Sequence, residues 1–157
     1  QVEGELAVVI GRICKDVPGE RAQEAIFGFT VANDVTATGG YDADDMIRVK
    51  GSDTFCPLGP WMVTHFSVAE AGNVRLRTTV DGTVCQESST SEMIRSVSEL
   101  VSEISSRLTL LPGDVILTGT PAGAAPVVPR QQVEVEIEGI GTLVNSVVAG
   151  QNAVVEG

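Results

Sequence analysis

Two glutamates one residue apart, Glu3 and Glu5, open a run that turns continuously apolar from Leu6 to Ile10. A strand has a two-residue period, so both carboxylates would stand on one face at its mouth and offer hard oxygen donors. Taken alone, a Glu-x-Glu is most often a solvated strand face. The other groups able to do chemistry are scattered, and each has a plain reading of its own. Asp34, after Asn33, reads as a strand-end turn residue, and Lys50 reads as a surface ammonium. Thr118-Gly119-Thr120 reads as a β-turn, and His65, the one histidine, reads as a surface residue because no partner is placed for it. Cys14, Cys56 and Cys85 are an odd number at wide spacing without a C-x-x-C pair. Free thiols in a reducing compartment follow, and a cytoplasmic location is expected.

These residues must be positioned by a chain of 157 residues, a length that fits one compact domain, here residues 1–157. Twenty-one acids against 10 bases give a net charge of −11, which repels phosphate backbones and anionic lipid, so neither nucleic acid nor a membrane is an expected partner. The longest apolar runs are far shorter than the roughly 18 residues of a membrane helix. No basic and apolar leader is visible, and the chain opens at Gln1 inside a strand without Met, as a fragment would.

Strands are expected over Val2–Gly11 and Phe27–Thr36, with a short helix over Pro18–Ile26 between them. Thr38–Asp45 is glycine-rich and acidic, the composition of a loop. Cys56–Trp61 reads as a rigid turn into a short strand at Met62–Thr64. Asp81-Gly82 between strand-like runs signals a hairpin. Ser89-Thr90-Ser91-Glu92 has the form of a capping box, and apolar residues from Met93 to Leu108 follow at helical spacing, which predicts one long helix. A strand at Asp114–Thr118, a tight loop at Gly119–Gly123 and a second hairpin around Gly139–Gly141 complete an α+β, mainly β chain.

The blocks EGELAVVIGR (Glu3–Arg12), ANDVTA (Ala32–Ala37), KGSDTFCPLGPW (Lys50–Trp61), STSEMI (Ser89–Ile94), PGDVILTGTPAG (Pro112–Gly123) and VEIEGIGTL (Val135–Leu143) resemble, in this order, the fumarylacetoacetate hydrolase family over nearly the whole chain. The resemblance implies a mixed β roll packed around the long helix, a homodimer, and a divalent metal held by Glu3, Glu5 and Asp34. Oxygen ligands without His or Cys suit Mg2+ or Mn2+ rather than zinc. It also implies that Lys50 is the active-site lysine, stabilising an enolate or moving a proton if its pKa is depressed, and that Thr120 and Gly119 bind a substrate carboxylate through hydroxyl and backbone N–H groups.

Two departures from the family pattern stand out. Thr38 and Gly39 occupy positions where Arg-Asp is usual, and the family's upstream lid segment with a His and a Glu three residues apart precedes the metal strand and so lies outside this sequence. Enolate chemistry on a 2-oxo or 2-hydroxy-dienoic dicarboxylate from aromatic catabolism needs charge stabilisation more than an activated water. The expectation is therefore an isomerase or decarboxylase, similar to 2-hydroxyhepta-2,4-diene-1,7-dioate isomerase, ahead of a C–C hydrolase. The rival expectation is a catalytically impaired or repurposed relative that serves as a metal-binding scaffold or partner subunit.

Overall fold

A computed structural model of the chain describes residues 1–38 and 45–149. The loop expected over Thr38–Asp45 lies mostly outside these residues, and Gly39 with it. Among the described residues there are eight strands: β1 (Gly4–Ile10), β2 (Ile26–Asn33), β3 (Leu58–Val63), β4 (Arg75–Val80), β5 (Thr83–Ser89), β6 (Val115–Leu117), β7 (Gln132–Ile137) and β8 (Gly141–Ser146). Four short helices, α1 (Ala22–Ala25), α2 (Met46–Lys50), α3 (Val68–Ala71) and α4 (Val97–Arg107), lie between them. The strands form two sheets in the orders β3-β2-β1-β6 and β5-β4-β7-β8. Every pairing of named strands is antiparallel, and the α+β, mainly β architecture expected from the sequence is present.

The two sheets bury each other. Leu6, Val8 and Ile10 of β1 and Phe29 and Val31 of β2 point into a common core with Leu76 of β4, Val133, Val135 and Ile137 of β7, and Leu143 of β8. The alternate residues of β1, Glu5, Ala7 and Val9, therefore stand on the opposite face. Gly4 shares the core face, and a Cβ there would come 2.8 Å from Val135 Cγ1. Only glycine lets this end of β1 close onto the second sheet. The Asp81-Gly82 turn has φ of 49° and 76°, the paired positive values of a two-residue hairpin turn.

The helix departs most from expectation. The long helix predicted over Met93–Leu108 is the eleven-residue α4, and its neighbours are α1, α3 and the 3-10 turn Gly19–Arg21, while the sheets pack on one another. Two Ser-x-x-Glu boxes lie seven residues apart. At Ser96 both reciprocal bonds form, Glu99 N–H to Ser96 Oγ and Ser96 N–H to Glu99 Oε2 at 2.7 Å. Ser89 caps only the 3-10 turn Thr90–Glu92, and Ile94 is almost fully exposed. The strand expected at Met62–Thr64 begins earlier, at Leu58, because β3 is an edge strand where Pro60 leaves no ladder bond unmade. If α4 starts at Ser96, Ser96→Ala should lower unfolding stability by about 1 kcal/mol and Ser89→Ala by half of that or less, as measured by urea titration.

Candidate metal centre

The site is built where β1 and β2 end side by side. Gly4 pairs with Asn33 and Glu5 with Ala32, which sets Glu3 opposite Asp34. Asp34 N–H donates to Glu3 O at 2.8 Å and Glu3 N–H to Asn33 Oδ1 at 3.1 Å, locking that register. Antiparallel pairing puts opposed residues on one face, so the Glu3, Glu5 and Asp34 carboxylates converge over the small Ala32. One oxygen from each lies within 4.8 Å of the others. Glu5 is buried and the other two are half-buried.

Three further groups close the cluster. Gly119 sits at φ 96° just past β6, and this turn aims its N–H at Glu5 Oε2, 2.6 Å away. Lys50, the last residue of α2, donates from Nζ to Asp34 Oδ2 at 2.5 Å, Thr36 Oγ1 at 2.9 Å and Glu3 Oε2 at 3.1 Å. Thr36 Oγ1 lies 3.2 Å from Glu3 Oε1. The structure thus brings Glu3, Glu5, Asp34, Lys50 and Gly119 together. Thr120 is adjacent but used differently, because its hydroxyl donates to Gly4 O at 2.9 Å and accepts from Gln86 Nε2 at 2.7 Å. Its proton and that of Gly119 N–H are committed within the protein. Thr120 N–H has no partner among the described residues and is what this loop can still offer a carboxylate.

Sequence reasoning passed over Thr36, Asn33 and Gln86. Thr36 and Asn33 lie inside the ANDVTA block, whereas Gln86 is an isolated polar residue in a hairpin strand with nothing to mark it. His65 is exposed, edge-on to Phe66 at 5.1 Å, and is not a member of the acid cluster.

Residues 1–148 match the family described as fumarylacetoacetate (FAA) hydrolase, C-terminal. The chain belongs to this family. It is similar to the 4-hydroxyphenylacetate degradation bifunctional isomerase/decarboxylase of Salmonella dublin, 41% identical over 153 residues that cover 96% of this chain and 36% of that protein. It also resembles two solved structures. One is the 2-hydroxyhepta-2,4-diene-1,7-dioate isomerase of Mycobacterium marinum, 50% identical with a TM-score of 0.85 over 94% of this chain and 57% of the other. The second is the maleylpyruvate hydrolase of Sphingobium sp. SYK-6 in complex with manganese(II) ion and pyruvate, 32% identical with a TM-score of 0.87 over 96% and 55%. The chain thus spans well under two thirds of the length of these relatives.

The electrostatics of this cluster follow from its crowding. Burial, the largest effect, pushes the Glu5 carboxyl up to about 7; the Gly119 N–H opposes this, the neighbouring Asp34 and Glu3 charges add to it, and Lys50 works against it. Burial alone would pull the Lys50 ammonium down, but hydrogen bonds and attraction from Asp34 and Glu3 outweigh it and hold the pKa above the ordinary lysine value. Lys50 is therefore a fixed cation here, not the depressed-pKa proton carrier allowed for from the sequence. Burial, then the Asp34 and Glu5 charges, raise the Cys56 thiol, so it stays protonated. An all-oxygen donor set with no His or Cys fits a hard divalent cation.

A carboxyl whose pKa is raised on folding keeps a proton that the unfolded chain has lost, so stability falls as pH rises from the unfolded value of 4.5 to about 7. In EDTA, wild type should lose stability relative to Glu5→Gln across that window and on through pH 7, by on the order of 3 kcal/mol in all, levelling off about one pH unit above the folded value. Urea unfolding of both proteins at pH 5, 6, 7 and 8 measures the difference.

Proposed function

We propose that this chain is the metal-holding catalytic part of a Mg2+- or Mn2+-dependent enzyme that isomerises or decarboxylates 2-oxo or 2-hydroxy-dienoic dicarboxylic acids by way of an enolate. The observation that carries this is the convergence of Glu3, Glu5 and Asp34 within 4.8 Å, with Lys50 across two of them. When bound, the cation would supply a Lewis acid for the 2-oxo oxygen. Gly119 N–H holds Glu5 in place, and Thr36 holds the Lys50 ammonium. Lys50 offers a fixed positive charge to an enolate oxygen, and Thr120 N–H offers a donor to the substrate carboxylate. The 50% identity to an isomerase, where hydrolases among the relatives reach 40%, supports placing isomerisation ahead of hydrolysis.

On the full-length protein, oxaloacetate should be enolised or decarboxylated in a Mg2+- or Mn2+-dependent manner that EDTA abolishes, and acylpyruvate hydrolysis should be much slower. Hydrolysis at least as fast as the enolate reactions reverses that ordering, and no metal-dependent turnover of either substrate favours the scaffold reading. Lys50→Met should lower the enolate reactions by roughly 10²-fold or more. Because Lys50 is bonded to two of the ligands, the same change should tighten Mn2+ binding by roughly tenfold, where a lysine that merely faced substrate would leave it unchanged. Titration calorimetry reads that difference.

The assembly proposed is a homodimer. Leu58, Trp61 and Met62 of the edge strand β3 are each exposed, large apolar side chains suited to burial against a second copy. Light scattering should give twice the monomer mass, and Trp61→Glu should shift it towards the monomer.

A further inference from the structure

Strand β6 pairs with β1 only at Ala7–Val9, and Thr118 N–H extends the ladder by one bond to Leu6 O. Beyond that point the N–H and C=O of Gly4, the residue between the two glutamates, lie buried on the side of β1 that β6 no longer covers. A buried backbone group left unpaired would cost about as much as a lost hydrogen bond. Two side chains take the place of the strand. Gln86 Oε1 accepts from Gly4 N–H at 2.9 Å, and Thr120 Oγ1 donates to Gly4 O at 2.9 Å. Gln86 Nε2 then closes the circuit, donating to Thr120 Oγ1 at 2.7 Å and to Pro121 O at 2.9 Å.

Gln86 is 1% exposed, and its amide can point only one way. Turned over, it would set its NH2 against Gly4 N–H and its oxygen against Pro121 O. It reaches the site from β5, in the other sheet, and so ties three bodies together: the second sheet, the strand end that carries Glu3 and Glu5, and the loop that carries Gly119 and Thr120. None of its atoms is among the carboxylate or ammonium groups of the cluster.

We infer that Gln86 is a positioning residue that holds the metal carboxylates and the carboxylate-binding loop in one fixed relation through the Gly4 peptide. This rests on the proposed metal-dependent function. Gln86→Met keeps the length and the apolar stem of the side chain and removes every hydrogen bond. In the full-length protein it should speed hydrogen exchange at the Gly4 amide and weaken Mn2+ binding by the folded protein roughly 10–100-fold, the range typical of lost outer-shell partners. Electron paramagnetic resonance of free Mn2+ reads the affinity. Adding Thr120→Val should cost little more, because both changes break one circuit.

A merely structural glutamine would lower the melting temperature and leave Mn2+ affinity within twofold of wild type, and that result overturns the inference alone. A wild type that binds no Mn2+ overturns the metal reading and the positioning role with it. If Gln86→Met does not fold, Thr120→Val and Thr120→Ser decide. Weaker Mn2+ binding in the valine variant, restored by serine, supports the circuit, and unchanged affinity in both overturns it.

Discussion

Three carboxylates drawn to within 4.8 Å of one another, one of them buried, form the arrangement that the rest of this structure has to sustain. Like charges at that distance in a partly dry setting repel by several kcal/mol unless they are compensated. Each neighbour of the cluster answers part of this. The Gly119 N–H faces Glu5, the Lys50 ammonium lies across Glu3 and Asp34, and Glu5 itself takes up a proton near pH 7. With all three acids ionised, one lysine leaves two negative charges uncompensated. That remainder is the charge of one divalent cation, so the donor set and the charge balance point to the same kind of ligand.

Holding acids against their own repulsion requires a scaffold that does not give way, and the sheets supply it at one end of their contact. The Glu3–Asp34 juxtaposition is fixed by the β1–β2 register, in which a slip of one residue would turn Glu3 and Glu5 onto the core face. Gly4 lets that strand end seat on Val135, so the carboxylates are anchored through the second sheet as well as the first. The helices take little part in this. α4 flanks the sandwich, and α2, which carries Lys50, has no buried residue at all.

What the sequence disclosed follows the range of each interaction. The shared face of Glu3 and Glu5 and the Asp81-Gly82 hairpin rest on neighbours in the chain, and both were legible. The Ser-x-x-Glu pattern at Ser89 was legible, but it recurs at Ser96, and which of these two starts the helix depends on whether the glutamate turns back to the serine N–H, as Glu99 does and Glu92 does not. Asp34 and Lys50 gained their meaning through family resemblance, since nothing local says that residues 31 and 47 positions from Glu3 will meet its carboxylate or its backbone. Thr120 was legible as a residue type but not in its direction, because its hydroxyl serves an edge of β1 that exists only where β6 stops. Gln86 was invisible for the same reason, its partner Gly4 lying 82 residues away.

The contrast between the anchors of the two kinds of charge has a functional sense. The carboxylates are carried by strand ends that are paired, seated and held by side chains from the opposite sheet, so their positions are set by the fold. The ammonium is carried by a five-residue helix capped by Asp45 and by contacts with the acids themselves. Glu3 and Asp34 are partners that a divalent cation would compete for, and the group that can shift at least cost is the one whose helix buries nothing. A cation site with rigid anions and a yielding ammonium can change its bound charge without disturbing the sheets, and in the proposed enolate chemistry it would keep a positive group within reach of the enolate oxygen.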